Sequence, residues 1–157
     1  MINRKLLLLF CIVIGSPATA YDVTGAMEAY ESGDYKTAHE QLTFLAQNDN
    51  PDAQYNLAFM FFGGDGIAQN DAKALFWFGQ AAKLGHAAAQ DTLAYMYLNG
   101  RGTDVDRVQA YAWYTLAAEN GVFLAKNISE NLIKQMSPVE RIHAERLSKE
   151  YLGVYKQ

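Results

Sequence analysis

Residues 53–88 slide onto residues 89–124 without a gap and agree at 12 of 36 positions, and no other feature of this chain restricts its fold as much. At average residue usage chance supplies about two or three identities. The matched pairs include Ala53/Ala89, Gln54/Gln90, Leu57/Leu93, Ala58/Ala94, Met60/Met96, Ala74/Ala110 and Trp77/Trp113. Glycines repeat as well, at Gly64/Gly100, Gly66/Gly102 and Gly85/Gly121. The same offset reaches back to Ala38 and to Leu45-Ala46, and forward to Ala125, with the decay expected at the ends of an array. The repeat divides the chain into a partial unit over 22–52, full units over 53–88 and 89–124, and capping helices over 125–152.

Each unit reads as two helices. Residues 53–62 and 89–98 lack Gly and Pro, and Ala53, Leu57, Ala58 and Phe61, like Ala89, Leu93, Ala94 and Tyr97, recur at helical spacing. Gly64-Asp65-Gly66 and Gly100-Arg101-Gly102 end these A helices, because glycine reaches positive φ without steric cost. Asn70 and Asp106 are placed to cap the B helices, which stop at Gly85 and Gly121. The B stripes run through Ala74, Trp77, Phe78, Ala81 and through Ala110, Trp113, Tyr114, Ala117. The small positions allow close approach and the tryptophans fill the gap between units. No unit buries its stripe alone, so the expected fold is all-α, a solenoid of stacked helix pairs.

The tail differs. Ser137-Pro138-Val139-Glu140 is a capping box with proline at the first helical position, opening a helix to about Tyr151. Its periodicity turns Val139, Ile142, Leu147 and Tyr151 inward, and it is expected to shield the last repeat.

The strings Ala53-Gln54-Tyr55-Asn56-Leu57-Ala58, Gly64-Asp65-Gly66 and Ala74-Leu75-Phe76-Trp77-Phe78-Gly79-Gln80-Ala81-Ala82-Lys83-Leu84-Gly85 resemble the Sel-one-like repeat (SLR), a longer relative of the tetratricopeptide repeat. The segment ending Ala117-Ala118-Glu119-Asn120-Gly121 resembles it equally. The resemblance implies a right-handed α/α superhelix of antiparallel helix pairs with a protein-interaction role, often as adaptor or regulator. Some exported members staple each pair with a disulfide, and this chain departs from them.

Its only cysteine, Cys11, lies in the N-terminal segment. There Arg4 and Lys5 precede an apolar run from Leu6 to Ile14, Gly15-Ser16-Pro17 breaks it, and Ala18-Thr19-Ala20 offers a small-x-small cleavage pattern. That order reads as a signal peptide over 1–20 cleaved after Ala20, since a membrane helix needs about 20 apolar residues. The expected destination is the periplasm or the exterior, with no stable membrane insertion after cleavage. Cleavage lowers Lys+Arg from 13 to 11 against 17 acids, a net charge of −6. An acidic chain without a basic cluster is a poor nucleic-acid ligand.

Residue supply argues against catalysis. His39, His86 and His143 lie in separate units, without metal-ligand spacing, and read as solvated surface residues. Ser32, Ser129, Ser137 and Ser148 fit no nucleophile motif. The Gly64-x-Gly66 pair recurs and lacks the lysine of a phosphate loop. No cofactor or metal is implied. An envelope hydrolase or cell-wall-binding accessory enzyme, the alternative function, requires a pocket joining those histidines to acids. A structural subunit of a larger assembly is the third reading.

At about 100° per residue the side of the A helices opposite Leu57 carries Tyr55, Asn56, Phe59 and Phe62, then Asp91, Thr92, Tyr95, Leu98 and Asn99, then Asn127 and Asn131. In solenoids of this class A helices line the concave face, so these residues form the candidate groove for a protein or peptide. Its aromatics either anchor a partner or are buried against the adjacent unit. The expected function is that of an exported adaptor or regulatory partner of an envelope protein.

Overall fold

A computed structural model describes residues 21–156. The proposed signal segment 1–20 lies outside the described residues. The described chain forms eight helices and no strand: α1 (Val23–Glu31), α2 (Tyr35–Gln47), α3 (Pro51–Gly63), α4 (Asp71–Lys83), α5 (Ala87–Asn99), α6 (Arg107–Glu119), α7 (Phe123–Lys134) and α8 (Pro138–Tyr155). Consecutive helices pack pairwise from α1 to α7, most closely within α3–α4 and α5–α6. The repeat-bearing region is therefore the expected α/α solenoid, with α3 and α5 as A helices and α4 and α6 as B helices.

Capping follows the period. Asp34, Asn70 and Asp106 open α2, α4 and α6, and each accepts the backbone N–H three residues on. Asn50, His86 and Val122 open α3, α5 and α7 at the same spacing, but the Val122 side chain makes no cap bond. Gly64 and Gly100 close the A helices at φ 80° and 66°. The A helices start two residues before the expected positions because Pro51 and Ala87 extend the first turn past the repeat match.

The repeated alanines lie in the core. Ala53, Ala58, Ala74, Ala89, Ala94 and Ala110 are fully buried, as are Ala38 and Ala125 in the decayed units. Two apolar clusters, one under α1–α3 and one from α3 to α8, meet at Phe61 and Trp77, which touch both. Adjacent units are also pinned by loops. A Cβ on Gly102 would stand 2.4 Å from the Asp71 carbonyl oxygen, and one period earlier a Cβ on Gly66 would stand 2.1 Å from Tyr35 Cβ. The neighbouring Arg101 grips Asp71 through two bonds, of 2.6 and 3.0 Å.

α8 corrects the expectation for the tail. It opens on the capping box and reaches Tyr155, but Val139 and Ile142 are exposed. Its buried positions are Ala144 and Ser148, with Leu147 and Tyr151 half-buried. The cause is its mounting: α8 packs on α6, not on its sequence neighbour α7. A cap one period after Asp106 would fall at position 142, whereas Ser137 starts the helix five residues earlier, out of register with the B helices.

Candidate functional site

The outward side of α3 is a line of aromatic rings. Tyr55 meets Phe59 edge-on at 4.8 Å, Phe59 meets Phe62 at 6.4 Å, and all three contact the fully buried Phe78 of α4. Such edge-to-face packing suits the ring quadrupoles. Burial divides these aromatics: Tyr55 and Phe62 are half-buried against the core, while Phe59 remains 39% exposed. One period on, Tyr95 is 44% exposed. A cleft of about 250 Å³ runs between α1, α2 and α3, with Met27, Tyr30, Asn56, Phe59, Phe62 and Asp65 among its walls. Tyr30 donates its hydroxyl to Asp65 at 2.8 Å, which pushes the phenol's pKa up.

Met27 and Tyr30 escape a reading based on the repeat. α1 begins after Asp22, only 28 residues before the Asn50 cap, so its residues have no counterpart at the period.

On α5, Asp91, Thr92 and Leu98 are half-buried. Thr92 spends its hydroxyl on the Ala88 carbonyl at 2.9 Å. Asp91 Oδ1 is buried without a hydrogen-bond partner, and burial pushes this carboxyl upward. Burial, with Asp91 nearby, also raises Tyr55, and raises Tyr114 to about 12. Asn56 and Asn99 turn their amides back to the carbonyls four residues earlier, at 2.8 Å each, and so serve their own helices. Asn127 and Asn131 stand exposed on α7, beside Ile128. Arg101 lies 4.4 Å over the Phe62 ring and places a cation at the edge of the aromatic line. The candidate residues thus include one continuous aromatic cluster on α3, an exposed tyrosine one period away, and a polar margin on α7.

His86 is not a solvated surface histidine. It caps α5, its Nδ1 accepting the Ala89 N–H at 3.1 Å, and its ring stacks on Tyr55 at 4.3 Å. Burial pulls its pKa down even though Asp52 lies 3.4 Å from Nε2. The signal was present in the sequence, since the period sets His86 opposite the Asn50 cap. His39 packs edge-on against Phe61 in a cavity whose walls include Lys73 and no acid. His143 is exposed on α8. Ser32, Ser129 and Ser148 each donate to a carbonyl three residues earlier, and Ser137 holds its capping box. Among the described residues no group of three or more His, Cys, Asp or Glu is arranged to hold a metal ion, and no helix is long and apolar enough to cross a membrane.

A family model for the Sel1 repeat matches residues 51–86 and 87–122. Both spans begin at the first helical residue of an A helix, α3 and α5. Among solved structures, a protective antigen present in uropathogenic Escherichia coli strains, displaying an SLR fold, aligns with TM-score 0.80 and 27% identity over 88% of this chain. The chain spans 32% of that antigen's length. A Sel1 repeat protein from Oxalobacter formigenes aligns with TM-score 0.64 and 31% identity over 73% of this chain and 92% of its own. No curated protein matches.

Proposed function

Because this chain belongs to the Sel1 repeat family, we propose that it is an exported, non-catalytic interaction module, an adaptor or regulatory partner of an envelope protein, which it holds along its A helices. Sel1 repeats are generally protein-interaction modules and typically non-catalytic scaffolds. The observation that carries the assignment is the pair Phe59 and Tyr95, one period apart and 39% and 44% exposed, with Phe59 sharing the wall of a cleft with Tyr30 and Phe62. Exposed aromatics fixed on rigid helices are efficient anchors, since little side-chain freedom is lost on contact. The signal-like order of residues 1–20 supports export. The net charge of −6 after cleavage favours a protein over a nucleic acid as partner.

The test is capture from the native envelope with the chain from Tyr21 onward as bait. A specific protein should be recovered, and Phe59→Ala combined with Tyr95→Ala should weaken its binding by about tenfold or more while leaving the thermal transition cooperative. Undiminished capture by the double variant would remove the aromatic face from the assignment.

A further inference from the structure

The B helices carry a second feature, independent of the aromatic face on α3. α8 lies on α6 through a defined set of contacts. Trp113 meets Tyr151 at 4.5 Å and Tyr155 at 5.7 Å, the Tyr151 hydroxyl donates to Gln109 Oε1 at 2.6 Å, and Lys156 pairs with Glu119 at 2.8 Å. Ala112 and Leu116 are fully buried. One period earlier, α4 repeats the scaffold with another surface: Lys73 replaces Gln109, Phe76 replaces Ala112, and Lys83 replaces Glu119, around the matching Trp77. Phe76 is 55% exposed where Ala112 is fully buried, and Trp77 is half-buried where Trp113 is 3% exposed.

The cavities follow the same period. Leu93, Tyr97, Gln109 and Trp113 line a cavity of about 410 Å³ that Tyr151 borders. Their counterparts Leu57, Phe61, Lys73 and Trp77 line one of about 500 Å³ between α2, α3 and α4, without a ring from α8 among its walls. Its polar groups invite an anion. Lys73 Nζ on α4 sits 5.0 Å from the Phe61 ring centroid, and Thr43 Oγ1, contributed to the same cavity by α2, is buried with no hydrogen-bond partner.

We propose that α4 receives an amphipathic helix from another protein, laid on it as α8 lies on α6. The incoming helix carries aromatic residues four apart over Trp77, as Tyr151 and Tyr155 do over Trp113, with carboxylates facing Lys73 and Lys83 and a small residue opposite Phe76. Charge selects this occupant over the α8 of a second copy, whose Lys156 would meet Lys83 in place of Glu119. An acidic helix from a different protein satisfies both the ring contact and the charge.

Two peptides test this on the chain from Tyr21 onward: residues 137–156 unaltered, and the same peptide with Lys149→Glu and Lys156→Glu. By calorimetry at low salt the acidic peptide is expected to bind at least tenfold tighter than the unaltered one. Lys73→Glu, a surface change that leaves the core intact, should abolish that advantage. Trp77→Ala should weaken binding at least tenfold, while Phe59→Ala with Tyr95→Ala leaves it unchanged. No binding of the acidic peptide, equal affinity for the two peptides, or binding indifferent to Lys73→Glu would each overturn the proposal.

Discussion

Gln54 and Gln90, one period apart on α3 and α5, each donate Nε2 at 3.0 Å to the carbonyl of an alanine eight residues earlier, Ala46 and Ala82 respectively. Those carbonyls lie in the last turns of α2 and α4, where each also accepts the backbone N–H three residues on, from Asp49 and Gly85. The buried glutamines therefore bind each B helix to the following A helix. They differ at the other end of the amide: Gln90 Oε1 accepts from Asn120 at 2.9 Å, whereas Gln54 Oε1 has no partner.

Replacing Gln90 by Leu should cost about 1–2 kcal/mol, because it removes a buried bond to the Ala82 carbonyl, which keeps the Gly85 N–H, and leaves the Asn120 amide without its acceptor, and Gln54→Leu should cost less. Leu84 occupies the position equivalent to Asn120, so Leu84→Asn should supply the missing donor and stabilise the fold by about 1 kcal/mol. Chemical denaturation of the three variants checks the order, and a larger loss from Gln54→Leu than from Gln90→Leu would contradict it.

His86 gives the fold a pH dependence of known sign. Its cap bond needs an unprotonated Nδ1, and burial holds its pKa below the ordinary 6.5 in the folded state. Its contribution is complete above 6.5 and is lost as the pH falls below that value and through the folded pKa. The melting temperature should therefore decline on acidification from pH 7 to 5. His86→Asn keeps an acceptor at the cap, as Asn50 does in the preceding unit, and should flatten that part of the profile. An unchanged pH profile in the variant would rule out His86 as its source.

Two glycines with positive φ should respond unequally to alanine. At Gly121, φ is 95° and the space around a Cβ is open, so Gly121→Ala should cost about 1 kcal/mol. At Gly102, φ is 75° and the Cβ would press against the Asp71 backbone, which cannot yield without separating two units. Gly102→Ala should cost more than 2 kcal/mol and loosen the Arg101 grip on Asp71. Equal melting temperatures for the two variants would show that the loop is not the inter-unit pin.

These features were unequally legible in the sequence. The period is written directly in the sequence as self-similarity, and the Asn70 and Asp106 caps, the glycine stops and the Ser137 capping box are short-range signals, set by chain geometry within a few residues; the fold contains all of them. The inward stripe assigned to α8 failed at Val139 and Ile142 because periodicity gives a helix an apolar side but not the neighbour it faces. That neighbour is α6, and the small residues Ala144 and Ser148 are what let α8 approach it. Along the candidate groove, spacing put Tyr55, Phe59 and Phe62 on one side, yet their burial depended on Phe78, a residue of the following helix. Asn56 and Asn99 were legible as outward positions, but the return of their amides to their own helices is a matter of rotamer that spacing does not encode.

Site-specific photocrosslinking reports whether the A-helix face holds a partner. A photoreactive phenylalanine analogue at Tyr95, on the A-helix face, is compared in the native envelope with the same probe at Phe123, which is 81% exposed at the start of α7. One dominant protein adduct is expected from position 95, absent from position 123, and competed away by unlabelled protein but not by the Phe59→Ala, Tyr95→Ala variant. Identical adducts from both positions, or none from position 95, would contradict that expectation.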